Sequence, residues 1–231
     1  KVHDFKEEMA LHEQSELNVY RKHPQLTACD RRVTVYNRHT QQKVQAIMFG
    51  SNSYLGATIF PEAIQKAIEV TKEFGIGSGG VPLTGTSIYQ EELEKLIAKI
   101  SGMDDTILFS SGYTANLGVI SGLIRPNNLI IHDKLDHASL LDGTVMSGAK
   151  MIRYKHGDIN DLERLLKDNS PQYPNGILVV TDGVFSMDGD IAKLPQILEI
   201  TRKYDAILLV DEAHATGVIG DKGAGTLSHY G

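Results

Sequence analysis

The chain has 231 residues, of which 41% are hydrophobic and 23% charged, and its net charge is −6. That composition can bury an ordinary core, and the length fits one large α/β domain, alone or with an arm. The acidic balance, with a pI near 5.8, argues against nucleic acid as a partner, which would call for a basic face. No apolar run approaches the ~20 residues of a membrane span, and the N-terminus is too charged for a secretory signal. A single cysteine, Cys29, forms no internal disulfide, which suits a reducing cytoplasm.

Residues 4–22 are polar and favour helix. Within 32–49 the runs RVTVYN and VQAIMF alternate as a small hairpin would. A helix is predicted over Pro61–Phe74, with proline in its first turn and glycine after its end. A glycine-rich loop, GIGSGGVPLTGT at 75–86, precedes a helix over Ser87–Ser101. Strands and helices then alternate. Strands are predicted at Thr106–Phe109, Leu129–Ile131, Met151–Tyr154, Ile177–Val180 and Ala206–Val210. Helices are predicted at Ala115–Leu123, Ser139–Met146, Ile159–Lys167 and Leu194–Lys203. Continuous apolar strands between amphipathic helices imply a mostly parallel sheet covered on both faces.

Ligands of such sheets bind beyond the carboxyl ends of the strands. Four polar clusters follow strands here: Ser110 to Tyr113, His132 to His137, Thr181 to Ser186 and Asp211 to His214. The string DEAH at 211–214 also occurs in helicases, but a phosphate-cradling G-x-x-x-x-G-K-[ST] loop is absent. Neither G-x-S-x-G nor H-E-x-x-H is present, which removes the nucleophile elbow and the zinc-peptidase helix. A metal site from Asp211, His214 and His132 or His137 is the remaining inorganic option.

A carboxylate just after a central strand needs a cation or strong donors. A backbone amide or an arginine could serve. So could the ring nitrogen of pyridoxal 5'-phosphate (PLP), whose protonated pyridine acts as an electron sink. His214 could then reach the ring's phenolic oxygen, and His137 could stack on the ring. Ser111, Gly112 and Tyr113, opening a helix, could hold the phosphate.

Five segments carry a likeness: SNSYLG at 51–56, SSGYTAN at 110–116, DHASLLDG at 136–143, TDGVFSMDGDIAKLP at 181–195 and VDEAHATGVIG at 210–220. With them the chain resembles the α-oxoamine synthases, PLP enzymes of aminotransferase fold type I, on the side of 2-amino-3-ketobutyrate CoA ligase and 8-amino-7-oxononanoate synthase. The resemblance implies an N-terminal arm at 1–55 and a PLP-binding large domain at 56–231, α/β with a mostly parallel sheet. It implies that Asp211 pairs with the pyridine nitrogen, His214 with the phenolic oxygen, and His137 with the ring face. Ser186, Ser111, Gly112 and Tyr113 would hold the cofactor, and Asn52 or Arg21 the substrate carboxylate. The implied reaction condenses a small amino acid (glycine, alanine or serine) with an acyl thioester of CoA or of a carrier protein. It gives an α-amino ketone, usually with loss of CO2, in a homodimer.

The family's Schiff-base lysine follows the D-x-x-H motif after another strand and is expected beyond residue 231, together with the small C-terminal domain. Lys222 lies too close to His214 and in a predicted turn. Gln90 stands where most members carry histidine, and GSGGVPLTGT is one residue short and lacks an arginine. An inert partner subunit and another fold-type-I enzyme, an aminotransferase or lyase, are the rival readings.

Overall fold

The computed structural model describes residues 6–7, 23–77, 83, 85–174 and 176–231. The helix expected over 4–22, Arg21 and part of the glycine-rich loop lie outside the described residues. The chain forms two compact units, Lys1–Gly79 and Gly80–Gly231.

In the first unit, β1 (Arg32–Asn37) and β2 (Gln42–Ile47) pair antiparallel, with Val35 opposite Val44. Asn37 makes the turn: its side-chain oxygen accepts from the amides of His39 and Thr40. Val33 is the buried residue of the hairpin. Cys29 donates to the Ser51 hydroxyl at 3.0 Å, a local tie rather than a reactive setting. Helix α1 (Pro61–Phe74) has proline in its first turn and Gly75 at its end, as the sequence predicts. Asn52 lies exposed in a bend of this unit.

The second unit opens with α2 (Ile88–Ser101). Ser87 accepts from the Gln90 amide while the Gln90 side chain accepts from the Ser87 amide, a reciprocal capping box. Gln90, the departure from the family pattern, is therefore engaged in starting this helix. The strand expected at Thr106–Phe109 is not formed: those residues have no regular structure, and Ile107 is exposed. An apolar run becomes a strand only by pairing, and among the described residues no strand pairs with it.

Four strands follow: β3 (Leu129–Asp133), β4 (Lys150–Tyr154), β5 (Ile177–Asp182) and β6 (Ile207–Asp211). They form one parallel sheet in the order β4-β3-β5-β6. The helices are α3 (Gly112–Leu123), α4 (Ala138–Ser147), α5 (Ile159–Asn169), α6 (Leu194–Lys203) and the short α7 (Thr226–Tyr230). Successive strand residues face opposite sides. Leu129, Ile131, Ile177 and Val179 pack with Leu162 and Leu166 of α5 and Leu194, Ile197 and Ile200 of α6. Ile130, Leu178 and Val180 pack with Ile120 of α3, Ile124 just past it, and Leu140 of α4. Each fully buried aliphatic side chain contributes roughly 1.5–3 kcal/mol. Both faces are thus occupied, and a continuous apolar run is the only pattern that serves both.

Three strands run further than their apolar runs and end on carboxylates: Asp133, Asp182 and Asp211. Asp182 and Asp211 are cross-strand neighbours in the β5–β6 register. The carboxyl edge of the sheet is therefore rich in negative charge and has to find donors.

Candidate active site at the carboxyl ends of the strands

At that edge Gly112, Tyr113, Asn116, His137, Ser139, Asp182, Ser186, Asp211, Ala213 and His214 line one cavity of about 100 Å³. Each of the four strand-end clusters named from the sequence contributes to it.

Asp211 is held from two sides. Its Oδ1 accepts from the Ala213 amide at 2.9 Å, and its Oδ2 accepts from the Asn116 Nδ2 at 2.7 Å. Glu212, the second acid of the DEAH string, turns away: its Oε2 accepts from the Thr226 amide at 2.8 Å and so closes the start of α7. Gly183 and Gly225 leave room for it, since a β-carbon on Gly183 would lie 2.7 Å from the Glu212 Oε1. One acid of the pair thus serves the cavity and the other the fold.

His137 caps α4, its Nδ1 accepting from the Ser139 amide at 3.2 Å. Its backbone amide donates to the Asp182 Oδ2 at 3.0 Å, and its ring meets the Tyr113 ring edge-on, centroids 6.3 Å apart. The Tyr113 hydroxyl bonds Asp142 on α4, and that bond is the main cause raising its pKa. Ser111 is the N-cap of α3: its hydroxyl accepts from the Thr114 amide at 3.1 Å. Its side chain is committed to the cap, whereas Gly112 and Tyr113 of the first turn reach the cavity. Amides of a first turn have no intrahelical acceptor and favour an anion.

Ser186 sits on a short return after β5. Val184 and Ile191 bridge across it, and Gly189, at φ 79°, turns the chain. His156 secures this return from below. Its Nδ1 meets the Asp133 Oδ1 and its Nε2 the Asp190 Oδ2, both at 2.9 Å, and Phe185 packs edge-on against it at 4.5 Å. Burial works against a charge on His156, but hydrogen bonds and charge from Asp133 and Asp190 outweigh it and raise the pKa.

Beneath the cavity lies a neutral buried pair. Burial pushes Asp136 up to about 9, helped by Asp182 and Asp133, and burial pulls His132 down to about 4, with Arg153 adding to it. At neutral pH Asp136 therefore carries the proton. Its Oδ2 donates to the His132 Nδ1 at 2.9 Å, and the His132 Nε2 donates to the Thr144 hydroxyl at 2.7 Å. His132 is thus committed away from the cavity, and the metal option built on it fails. Among the described residues no three His, Cys, Asp or Glu side chains are placed so that they could hold one metal ion together. Asp182 is pushed up to about 7 by burial first and by Asp211 second, so it titrates near neutrality beside the cavity.

The donor set fits PLP. A hydrogen-bonded carboxylate matches a pyridinium nitrogen, first-turn amides match a phosphate, and an imidazole stands beside them. Asn116, Ser139 and Asp182 were not singled out from the sequence as site residues. Their letters lie inside the motifs at 110–116, 136–143 and 181–195, but only the folded register turns them to the cavity. Asn52 lies in the other unit, and Arg21 is outside the described residues.

The family model for aminotransferase class I and II matches residues 44–230. The 8-amino-7-oxononanoate synthase of Thermoanaerobacter pseudethanolicus is 44% identical over 187 residues, which is 80% of this chain and 47% of that protein. The serine palmitoyltransferase of Sphingobacterium spiritivorum is 46% identical over 188 residues, 81% of this chain and 47% of that one. In three dimensions the chain is similar to the Sphingomonas wittichii serine palmitoyltransferase, with a TM-score of 0.87 and 30% identity over 99% of this chain and 55% of that chain. A serine palmitoyltransferase from S. paucimobilis, solved with bound PLP, matches with the same TM-score of 0.87. The chain spans about half the length of these relatives. With its parallel sheet, its strand-end motifs and this match, the chain belongs to the aminotransferase class I and II family, in the α-oxoamine synthase group of fold-type-I, PLP-dependent proteins.

Proposed function

We propose that the whole protein is a PLP-dependent acyltransferase that joins a small amino acid to an acyl thioester of CoA or of a carrier protein. In the reaction the amino acid's α-carbon forms a bond to the thioester carbonyl. The C–S bond breaks and the thiol leaves. The amino acid's carboxylate departs as CO2, and an α-amino ketone remains. The observation that carries this reading is the doubly hydrogen-bonded Asp211, standing in one cavity with His137 and His214.

When bound, PLP supplies an electron-withdrawing ring that stabilises negative charge at the α-carbon. Asp211 would hold a proton on the ring nitrogen, its negative charge keeping that proton in place. His214 would bond the phenolic oxygen. His137 would cover the ring face, keep water from it and, through its Nε2–H, serve as a proton donor. The amides of Gly112 and Tyr113, with the Ser186 hydroxyl, would hold the phosphate, and Ser111 would serve it by capping the helix that presents those amides. For the substrate carboxylate the candidate is Asn52, with Arg21 the weaker alternative. The lysine that carries the cofactor we place in a part of the protein outside this sequence. We propose a homodimer in the cytoplasm. Among the described residues no helix is long and apolar enough to cross a membrane.

Borohydride reduction of the full-length protein with PLP, followed by mass spectrometry, tests the cofactor reading. A phosphopyridoxyl group on a lysine outside residues 1–231 is expected. No adduct, together with tight association to an active homologue, points instead to an inert partner subunit. Release of free thiol and CO2 from glycine, alanine or serine with acyl-CoA separates the acyltransferase from an aminotransferase, which would need a keto acid instead.

A further inference from the structure

Asn116 belongs to no role assigned above, yet it bridges the two sides of the cavity. Its Nδ2 donates to the Asp211 Oδ2 at 2.7 Å and to the Ser139 hydroxyl oxygen at 2.9 Å. An amide nitrogen has two hydrogens and accepts nothing, so both are used. The Ser139 backbone N–H points to the His137 Nδ1 at 3.2 Å, so that nitrogen is an acceptor and the ring proton sits on Nε2. The Ser139 hydroxyl, which accepts from Asn116, then donates its one hydrogen to the same Nδ1, 2.7 Å away. Ser139 is buried, so solvent does not compete for its hydroxyl.

We propose that Asn116 is a positioning residue that sets the Asp211 carboxylate and, through the Ser139 hydroxyl, the orientation of the His137 ring together, by the two hydrogens of one side-chain amide. The inference rests on the functional reading above. Two features of the fold support it. Asn116 rides on α3, whose first turn also carries Gly112 and Tyr113 into the cavity. Ser139 rides on α4, whose N-cap is His137. One amide thus links two helices to the end of β6. Aspartate at the position would keep the size and lose both donors. Glutamine would be one methylene longer and could not reach both acceptors without moving a helix.

The test uses the full-length protein loaded with PLP and carrying Asn116→Ala, Asn116→Asp or Ser139→Ala. Three quantities are read: the absorption bands of bound PLP at neutral pH, retention of PLP on dialysis, and kcat against KM for the amino acid. Both Asn116 variants should shift the balance of the bands, lose PLP faster and lower kcat roughly ten- to hundred-fold, with KM little changed. Ser139→Ala should lower kcat while leaving the bands as in the unsubstituted protein, since it touches only the histidine side. Bands and kcat unchanged in the Asn116 variants would overturn the proposal, even if their melting temperatures fell, because a purely structural asparagine acts on stability alone. If Asn116→Ala does not fold, the isosteric Asn116→Asp carries the same expectation. Failure of the underlying reading is separable: the unsubstituted protein would then show no PLP band at all.

Discussion

At the scale of single residues, the two oxygens of Asp211 receive one hydrogen bond each, from Asn116 and Ala213. Asp211→Asn keeps the size and the Ala213 contact but removes the charge that holds a ring proton. We expect kcat/KM to fall roughly 100- to 1,000-fold and PLP to dissociate more readily, measured by steady-state kinetics and cofactor fluorescence. Asp136→Asn should behave in the opposite way. Asp136 is protonated in the folded state, and an amide can donate to the His132 Nδ1 as the acid does. The carboxyl's pKa is raised from 3.8 to about 9, so across that range the folded state binds a proton that the unfolded state has released. Its contribution to stability therefore falls as pH rises through the window. Asp136→Asn removes that loss, and its stability relative to the parent should improve steadily from acid to alkaline pH in urea titrations. A flat difference across the range would show that Asp136 is ionised in the fold.

At the scale of elements, α3 and α4 pack closely enough to set the cavity. A β-carbon on Gly143 of α4 would lie 3.1 Å from the Asn116 carbonyl and 3.1 Å from the Ile120 side chain. Gly143→Val should force the helices apart, costing about 1–3 kcal/mol and weakening PLP binding with it. Chemical denaturation alongside cofactor titration checks both. Below the cavity, His156 ties the end of β3 to the return that carries Ser186. The histidine's pKa is raised, so its contribution is present below the ordinary value of 6.5 and is lost as pH rises through the folded value. His156→Ala should loosen the return, visible as faster hydrogen exchange at 183–191, and the difference from the parent should shrink in alkaline buffer. These elements were legible in the sequence to different degrees. β3 and β5 were readable because residues buried on both faces must all be apolar, and β6 carries the same kind of apolar run although it is only half-buried. The run at Thr106–Phe109 has the same look and is not a strand, because a strand needs a partner and sequence pattern does not reveal which partner is there.

At the scale of the whole molecule, β6 has a paired neighbour on one side only among the described residues, and Ile207 on it is 55% exposed. Parallel sheets are normally covered, and an uncovered apolar edge invites pairing between chains. Met187, Val145 and Met146 are also exposed. The 231-residue polypeptide made alone should therefore self-associate despite its net charge of −6, and light scattering against concentration would show it; a monodisperse monomer would contradict the expectation. The sequence by itself determined the alternation of apolar strands and amphipathic helices, the polar clusters at the strand ends, and the place of Asp211, His137 and His214 among them. Those follow from local periodicity and from the rule that such sheets present their sites at one edge. Tertiary structure alone decided that Asp211 faces the cavity while Glu212 anchors α7, that His132 accepts the hydrogen of Asp136 below, and that Asn116 reaches both Asp211 and Ser139. Each of these depends on which elements become neighbours. Hydrogen bonds between residues 95 positions apart, as Asn116 and Asp211 are, leave no trace in the spacing of either.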